Sequence, residues 1–178
     1  MPASSPVAYA ALLRAINVGG TGKLAMTDLA RLCEKQGFCA VKTYIASGNV
    51  VFTSPKPEAA VKAALERVLE EHMGKPVAVM VRSARELQAT LDGNPFPKAD
   101  PRKLLVMFYD EPLAKTALVG ALTPDGEELS IRGRELFIHF PNGQGHSKIK
   151  LPKMTAGGTG RNLNTVTKLA AMTRALAG

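Results

Sequence analysis

The sequence contains no tryptophan, and its 178 residues include three tyrosines and six phenylalanines. Sheet proteins that read single-stranded RNA stack bases on exposed aromatic rings, so this poverty argues against that mode of recognition. Cysteine is equally scarce. Cys33 and Cys39 provide too few thiols for a disulfide framework or a metal quartet. Cys33 also falls on the apolar stripe Leu29–Leu32–Cys33, which suits a buried thiol. Long apolar runs are missing as well: the stretch from Val7 to Leu13 stops at Arg14, far short of a membrane span. The first residues, "MPASSPVAYAALLRA", have no positive charge ahead of the apolar run and so lack the pattern of a signal peptide. A cytoplasmic chain with no membrane partner is expected. Acidic side chains run out: after Glu135 there are none.

That last absence shapes the charge. The formal net charge is +8, yet residues 129–178 hold eight of the 23 Lys and Arg and only one of the 15 Asp and Glu. The first 128 residues are nearly balanced. Such asymmetry points to a negatively charged partner for the C-terminal third, or to a solvated basic face.

The periodicity alternates between strands and helices. "VAYAALLRAI" is almost continuously apolar, as a strand buried on both faces would be. Thr27 is placed to cap a helix from Asp28 to Gln36, ended by Gly37. "AVKTYIASGNVVFTS" reads as two strands turning at Ser47–Gly48–Asn49. Pro57 opens a helix with Val61, Leu65, Val68 and Leu69 on its inner face, and "VAVMVR" is a fourth strand. The order β-α-β-β-α-β is the split βαβ, or ferredoxin-like, pattern. Ser83 caps a short helix, and "NPFPKADPR" is a proline-rich connection. A second series follows: the strand "KLLVMFY", the helix "EPLAKTALVGAL", two strands turning at Gly133, and a last helix from about Asn162 to Ala177. The expected fold is α+β, with two ferredoxin-like subdomains, βαββαβ followed by βαββα. Their expected limits are 1–83 and 103–178, joined by a helix and linker over 84–102.

"NVGGTGKL" imitates a phosphate-binding loop but fails its pattern. Asn17 stands where glycine is needed, and Leu24 stands where the Mg²⁺-binding hydroxyl should be. What survives is a glycine loop with Lys23 whose N–H groups can form an anion nest, or a plain turn. "TAGGTGRNLNTVTKL" raises the same alternative. Gly157, Gly158 and Gly160 permit unusual backbone angles, Thr159 or Asn162 can cap the helix, and Arg161 falls in or beside its first turn. A cation there opposes the helix dipole unless an anion lies between. Asn164 and Lys168, four apart, share the helix face opposite the stripe Leu163, Val166, Leu169, Ala170, Thr173 and Leu176. Arg14, at the end of an apolar strand, is either paired or turned to a ligand, with Asn17 three residues on. His72, His139 and His146 lack metal-ligand spacing, and no acid–base pair stands out. The sequence thus gives no metal site and points to no cofactor.

Four segments, "AYAALLRAINVGG", "KTYIASGNVVF", "NPF" and "TGRNLNTVTKL", in this order and spacing, resemble the bacterial family known as domain of unknown function 1697. The resemblance implies two ferredoxin-like subdomains and no established activity. Its polar motif positions fall on Arg14, Asn17, Ser47, Asn49, Arg161, Asn162, Asn164, Thr165 and Lys168. One departure is Ala15, where the family motif has glycine, and the methyl implies that the backbone there need not adopt a glycine-only conformation. Three functions fit these features. The first is binding of a phosphate- or carboxylate-bearing ligand between the subdomains, by Arg14, Asn17, Ser47, Asn49, Arg161, Asn162, Asn164 and Lys168. The second is nucleic-acid binding by the basic C-terminal third. The third is an enzyme for an anionic small molecule, with Arg14 and Arg161 stabilising charge. Asn and Thr side chains that satisfy backbone groups would produce the same motifs.

Overall fold

The computed structural model describes residues 4–17 and 23–178. The nest expected around Gly19, Gly20 and Gly22 lies outside them. The chain divides into two compact units, Met1–Gln88 with Leu169–Gly178, and Ala89–Lys168. Among the described residues no helix is long and apolar enough to cross a membrane.

The first unit is built on four antiparallel strands. These are β1 (Val7–Leu13), β2 (Cys39–Thr43), β3 (Asn49–Ser54) and β4 (Val79–Ser83), in the order β2-β3-β1-β4. Central β1 is buried on both faces from Ala8 to Leu13, as its unbroken apolar run requires. Two helices, α1 (Met26–Lys35) and α2 (Glu58–Met73), close one face. Leu29, Leu32 and Cys33 from α1 and Val61, Leu65 and Leu69 from α2 join Ala11, Leu13, Val50 and Phe52 in one core. Each fully buried Leu or Val there contributes about 1.5–3 kcal/mol. Phe38 stacks on Phe52 at 4.4 Å. Helix α1 starts ahead of its expected cap: Ala25, not Thr27, is the N-cap and makes no side-chain bond. Asp28 still sits in the first turn, favourable to the dipole, and pairs with Arg31 at 2.9 Å. Edge strand β2 carries a bulge between Cys39 and Lys42, with Ala40 at φ 53°. Ser83 and Glu86 exchange backbone N–H bonds of 3.0 and 3.2 Å, a capping box for α3 (Ala84–Asp92).

The second unit repeats the strand order. Strands β5 (Leu104–Phe108), β6 (Glu128–Arg132), β7 (Glu135–His139) and β8 (Thr159–Asn162) lie as β6-β7-β5-β8. The α+β expectation of two ferredoxin-like subdomains holds, while the second differs from the expected βαββα in two places. The helix expected over 111–122 is a single 3-10 turn, Lys115–Leu118. Its neighbours spend their backbone groups elsewhere: Leu113 N–H on Gly133 O at 3.1 Å, and Leu122 on both polar groups of Lys150. The second difference is β8 itself, a fourth strand formed from what read as a glycine loop. It precedes α4 (Leu163–Ala177), whose Val166, Leu169, Ala170 and Thr173 are buried as the stripe predicts.

Register exposes a correspondence between the units that residue identity hides. Arg82 in β4 sits opposite Ala10 of β1, and Arg161 in β8 sits opposite Val106 of β5. Both arginines are buried. Each donates from Nη1 to the carbonyl of the residue before it, at 3.0 and 2.9 Å. Each is followed at once by the residue that caps the next helix, Ser83 or Asn162.

Candidate functional site

In the C-terminal motif, close packing accounts for two of the glycines. A Cβ on Gly158 would lie 2.6 Å from the Tyr109 ring, and one on Gly160 would lie 2.8 Å from Met107 Sδ. Gly157 adopts φ 92°, which favours glycine. The Tyr109 hydroxyl donates to Thr155 O at 2.8 Å and pins the segment from below. Arg161 is a strand residue that stands beside the first turn of α4 rather than in it, one of the two places the sequence allows. It is 6% exposed and donates to Thr159 Oγ1 at 2.7 Å. Burial draws its pKa down to about 10, which leaves it protonated near neutrality. Asn162, rather than Thr159, caps α4, its Oδ1 accepting the Thr165 N–H at 2.9 Å. Asn164 and Lys168 are exposed, and Thr165 is buried.

In the first motif the amides hold loops together. Asn17 Oδ1 accepts Leu24 N–H at 2.8 Å, while Nδ2 donates to Leu24 O at 3.0 Å and Ala46 O at 2.8 Å. Asn49 is fully buried; its Nδ2 donates to Tyr44 O at 3.0 Å and to Ser47 Oγ at 2.9 Å. Arg14 follows the end of β1 with its side chain exposed. The implication drawn from Ala15 is overturned. Ala15 takes φ 57°, a left-handed conformation in which its methyl is strained, and Asn17 takes φ 58°. The amide bonds of Asn17 and the burial of Ile16 between them hold the chain there despite that cost.

The basic C-terminal third becomes, in part, one surface of the second unit. Lys148, Lys150 and Lys153 are exposed on the segment leading to β8, and Lys115 is exposed on the 3-10 turn packed beside it. Leu122 and Lys150 join the two segments by backbone bonds of 2.9 and 3.0 Å. The nearby carboxylates are occupied with loop structure. Asp125 accepts Lys148 N–H, and Glu127 accepts the Ser147 hydroxyl and Asp125 N–H. Val119, Leu122 and Met154 stand exposed among the lysines, at 75%, 56% and 57%. Lys115 precedes the charge-asymmetric stretch, so charge counting along the chain could not include it. Arg82 was equally hidden as the end of a strand; the register of β4 is what singles it out. Among the described residues no group of three His, Cys, Asp or Glu is placed to hold a metal ion.

Paired four-stranded antiparallel sheets of one strand order, with loops tied by asparagine amides, define an α+β protein of two ferredoxin-like units. The chain belongs to the family described as Protein of unknown function (DUF1697), whose profile matches residues 7–137 and so ends before the C-terminal motif. Among solved structures it is similar to a conserved bacterial protein from Streptococcus pneumoniae. The two share 27% identity with a TM-score of 0.78, over 95% of this chain and 99% of the other. No curated protein matches it.

Proposed function

We propose that this protein, in the cytoplasm, binds a phosphate- or carboxylate-bearing partner, and that the lysine-rich loop layer of its second unit makes the contact. One observation carries the reading. Lys115, Lys148, Lys150 and Lys153 are exposed on two cross-linked segments and have no carboxylate partner among the described residues. A surface with an excess of ammonium groups over carboxylates carries a positive potential that attracts an anion. Both cysteines are free, which fits a reducing compartment. Of the motif side chains, Asn164 and Lys168 are exposed on the second unit and offer further donors to ligands of this class. Asn17, Asn49 and Asn162 serve that reading indirectly, by fixing the loops around them. Nucleic acid is a second reading, favoured by the concentration of positive charge after residue 128.

Fluorescence anisotropy with a labelled single-stranded oligonucleotide, competed by inorganic phosphate and citrate, tests both. Reversal of Lys148, Lys150 and Lys153 to Glu is expected to weaken oligonucleotide binding by about tenfold or more. The slope of log affinity on log salt should also fall, by about 0.7 per lost contact. Competition by millimolar citrate or phosphate would assign the surface to compact anions. Affinity unchanged by the triple reversal removes the lysine layer from the reading.

A further inference from the structure

The "NPF" segment builds one wall of a cleft in the second unit. Asn94 Oδ1 accepts the Phe96 N–H at 2.8 Å, and Ala99 N–H returns to Phe96 O at 3.0 Å. Pro95 and Pro97, on either side of Phe96, have their φ angles locked by their rings, so the loop is set before anything binds. The opposite wall is the end of the β6–β7 hairpin, where Glu128 and His139 are direct cross-strand neighbours. The walls border an open cleft of ≈ 340 Å³, with residues 95–99, Lys98 among them, on one side and Glu128 and His139 on the other. That volume is at the small end of ligand cavities and suits a molecule of one or two rings.

Three features define what the cleft accepts. The Phe96 and His139 rings lie 5.9 Å apart and are inclined by 32°, so they offer flat apolar surfaces to a planar guest. His139 Nδ1 lies 2.9 Å from Glu128 Oε1. An ionised carboxylate only accepts, so Nδ1 carries the proton, and the tautomer this bond selects has its lone pair on Nε2. Nε2 has no hydrogen-bond partner among the described residues, and no buried side-chain nitrogen is left unsatisfied, so this atom is open to a guest. An oriented acceptor beside flat apolar walls selects a ring that carries a donor.

We propose that this cleft is a binding site for a small planar aromatic molecule bearing a hydroxyl. Its ring lies against Phe96 and the flanking prolines, and its hydroxyl donates to His139 Nε2. Glu128 acts as a positioning residue by fixing the imidazole tautomer and ring orientation. The site uses none of the lysines of the proposed anion surface and stands independently of that reading.

Protein-observed NMR with selectively labelled histidine tests the assignment, with phenol, anisole and cyclohexanol as probes. Phenol is expected to shift the His139 ring signals and to bind at least about tenfold more tightly than anisole, which lacks the donor, or cyclohexanol, which lacks the flat ring. Phe96→Ala should weaken phenol about tenfold. Glu128 is exposed at a strand end, so Glu128→Gln leaves the fold intact while narrowing the phenol-to-anisole ratio. The proposal is overturned if no probe moves the His139 signals at about 10 mM, a Kd corresponding to under 3 kcal/mol. It is equally overturned if anisole matches phenol, or if Phe96→Ala binds phenol as the parent does. Reversal of the three lysines should leave phenol binding unchanged.

Discussion

Ala15 shows how a single residue can be misread. An alanine where the family motif has glycine implies an ordinary backbone, and the backbone is not ordinary. The left-handed region costs alanine about 1–2 kcal/mol, whereas glycine there gives up about 0.4–1 kcal/mol in unfolded-state entropy. Ala15→Gly is therefore expected to stabilise the protein by roughly 0.5–1 kcal/mol. A higher urea midpoint at unchanged m-value would show it, and a lower midpoint would mean that the φ of Ala15 costs nothing. Nothing local in the sequence marks this strain, because the bonds that maintain it come from Asn17 to Leu24 and Ala46, the latter 29 residues away. By contrast, the His139–Glu128 pair was available to counting. A two-residue turn at Gly133–Arg134, with Gly133 at φ 59°, places position 128 opposite 139. Gly158 and Gly160 read as conformational freedom because a sequence shows no neighbours, and the neighbours are Tyr109, Met107 and Leu105.

Elements were legible where one pattern acted alone. Helix α2 has its opening proline and its buried stripe at the places the sequence assigns, and it ends on left-handed Gly74. The segment 111–122 carried helical spacing, but Leu113 and Leu118 pack on the core of the second unit, and local i→i−3 bonds with tertiary bonds at Leu113 and Leu122 replace the i→i−4 ladder. Strand β8 was invisible because it is four residues long, holds a glycine, and is defined by its pairing with β5. The cap of α4 was legible as one of two choices. Asn162→Ala is expected to cost about 1 kcal/mol, within the 0.5–2 typical of lost N-caps. Asn164→Ala, on the exposed face of the same helix, should stay within about 0.5 kcal/mol of the parent. Chemical denaturation of the two variants side by side checks this, and equal losses would deny Asn162 its capping role.

The whole chain differs most from an ordinary globular protein in its charge, and its two thiols divide just as sharply between environments. Cys33 is buried on the inner face of α1 and Cys39 is exposed on β2. Burial, assisted by Glu34, pushes the Cys33 thiol from 9.0 up to about 12. A thiol-labelling reagent at pH 8 should therefore modify Cys39 promptly and Cys33 only on unfolding. The same shift has a defined sign in stability. The folded-state pKa lies above the unfolded one, so the contribution is fully present below pH 9 and is lost as pH rises toward 12. Urea unfolding across pH 8–10.5 should show a steeper alkaline decline for the parent than for Cys33→Ala. Parallel declines would mean that another group governs that limb. The bulge in β2 also matters at this scale. A regular outermost strand would present a straight row of unpaired amides on which a second chain could grow a fibril. With Ala40 turned left-handed, that row is broken, and Lys42 beyond it would bring like charges together in any stack of identical chains. The kink that looks like an irregularity of pairing thus makes this rim of the protein a poor template for stacking.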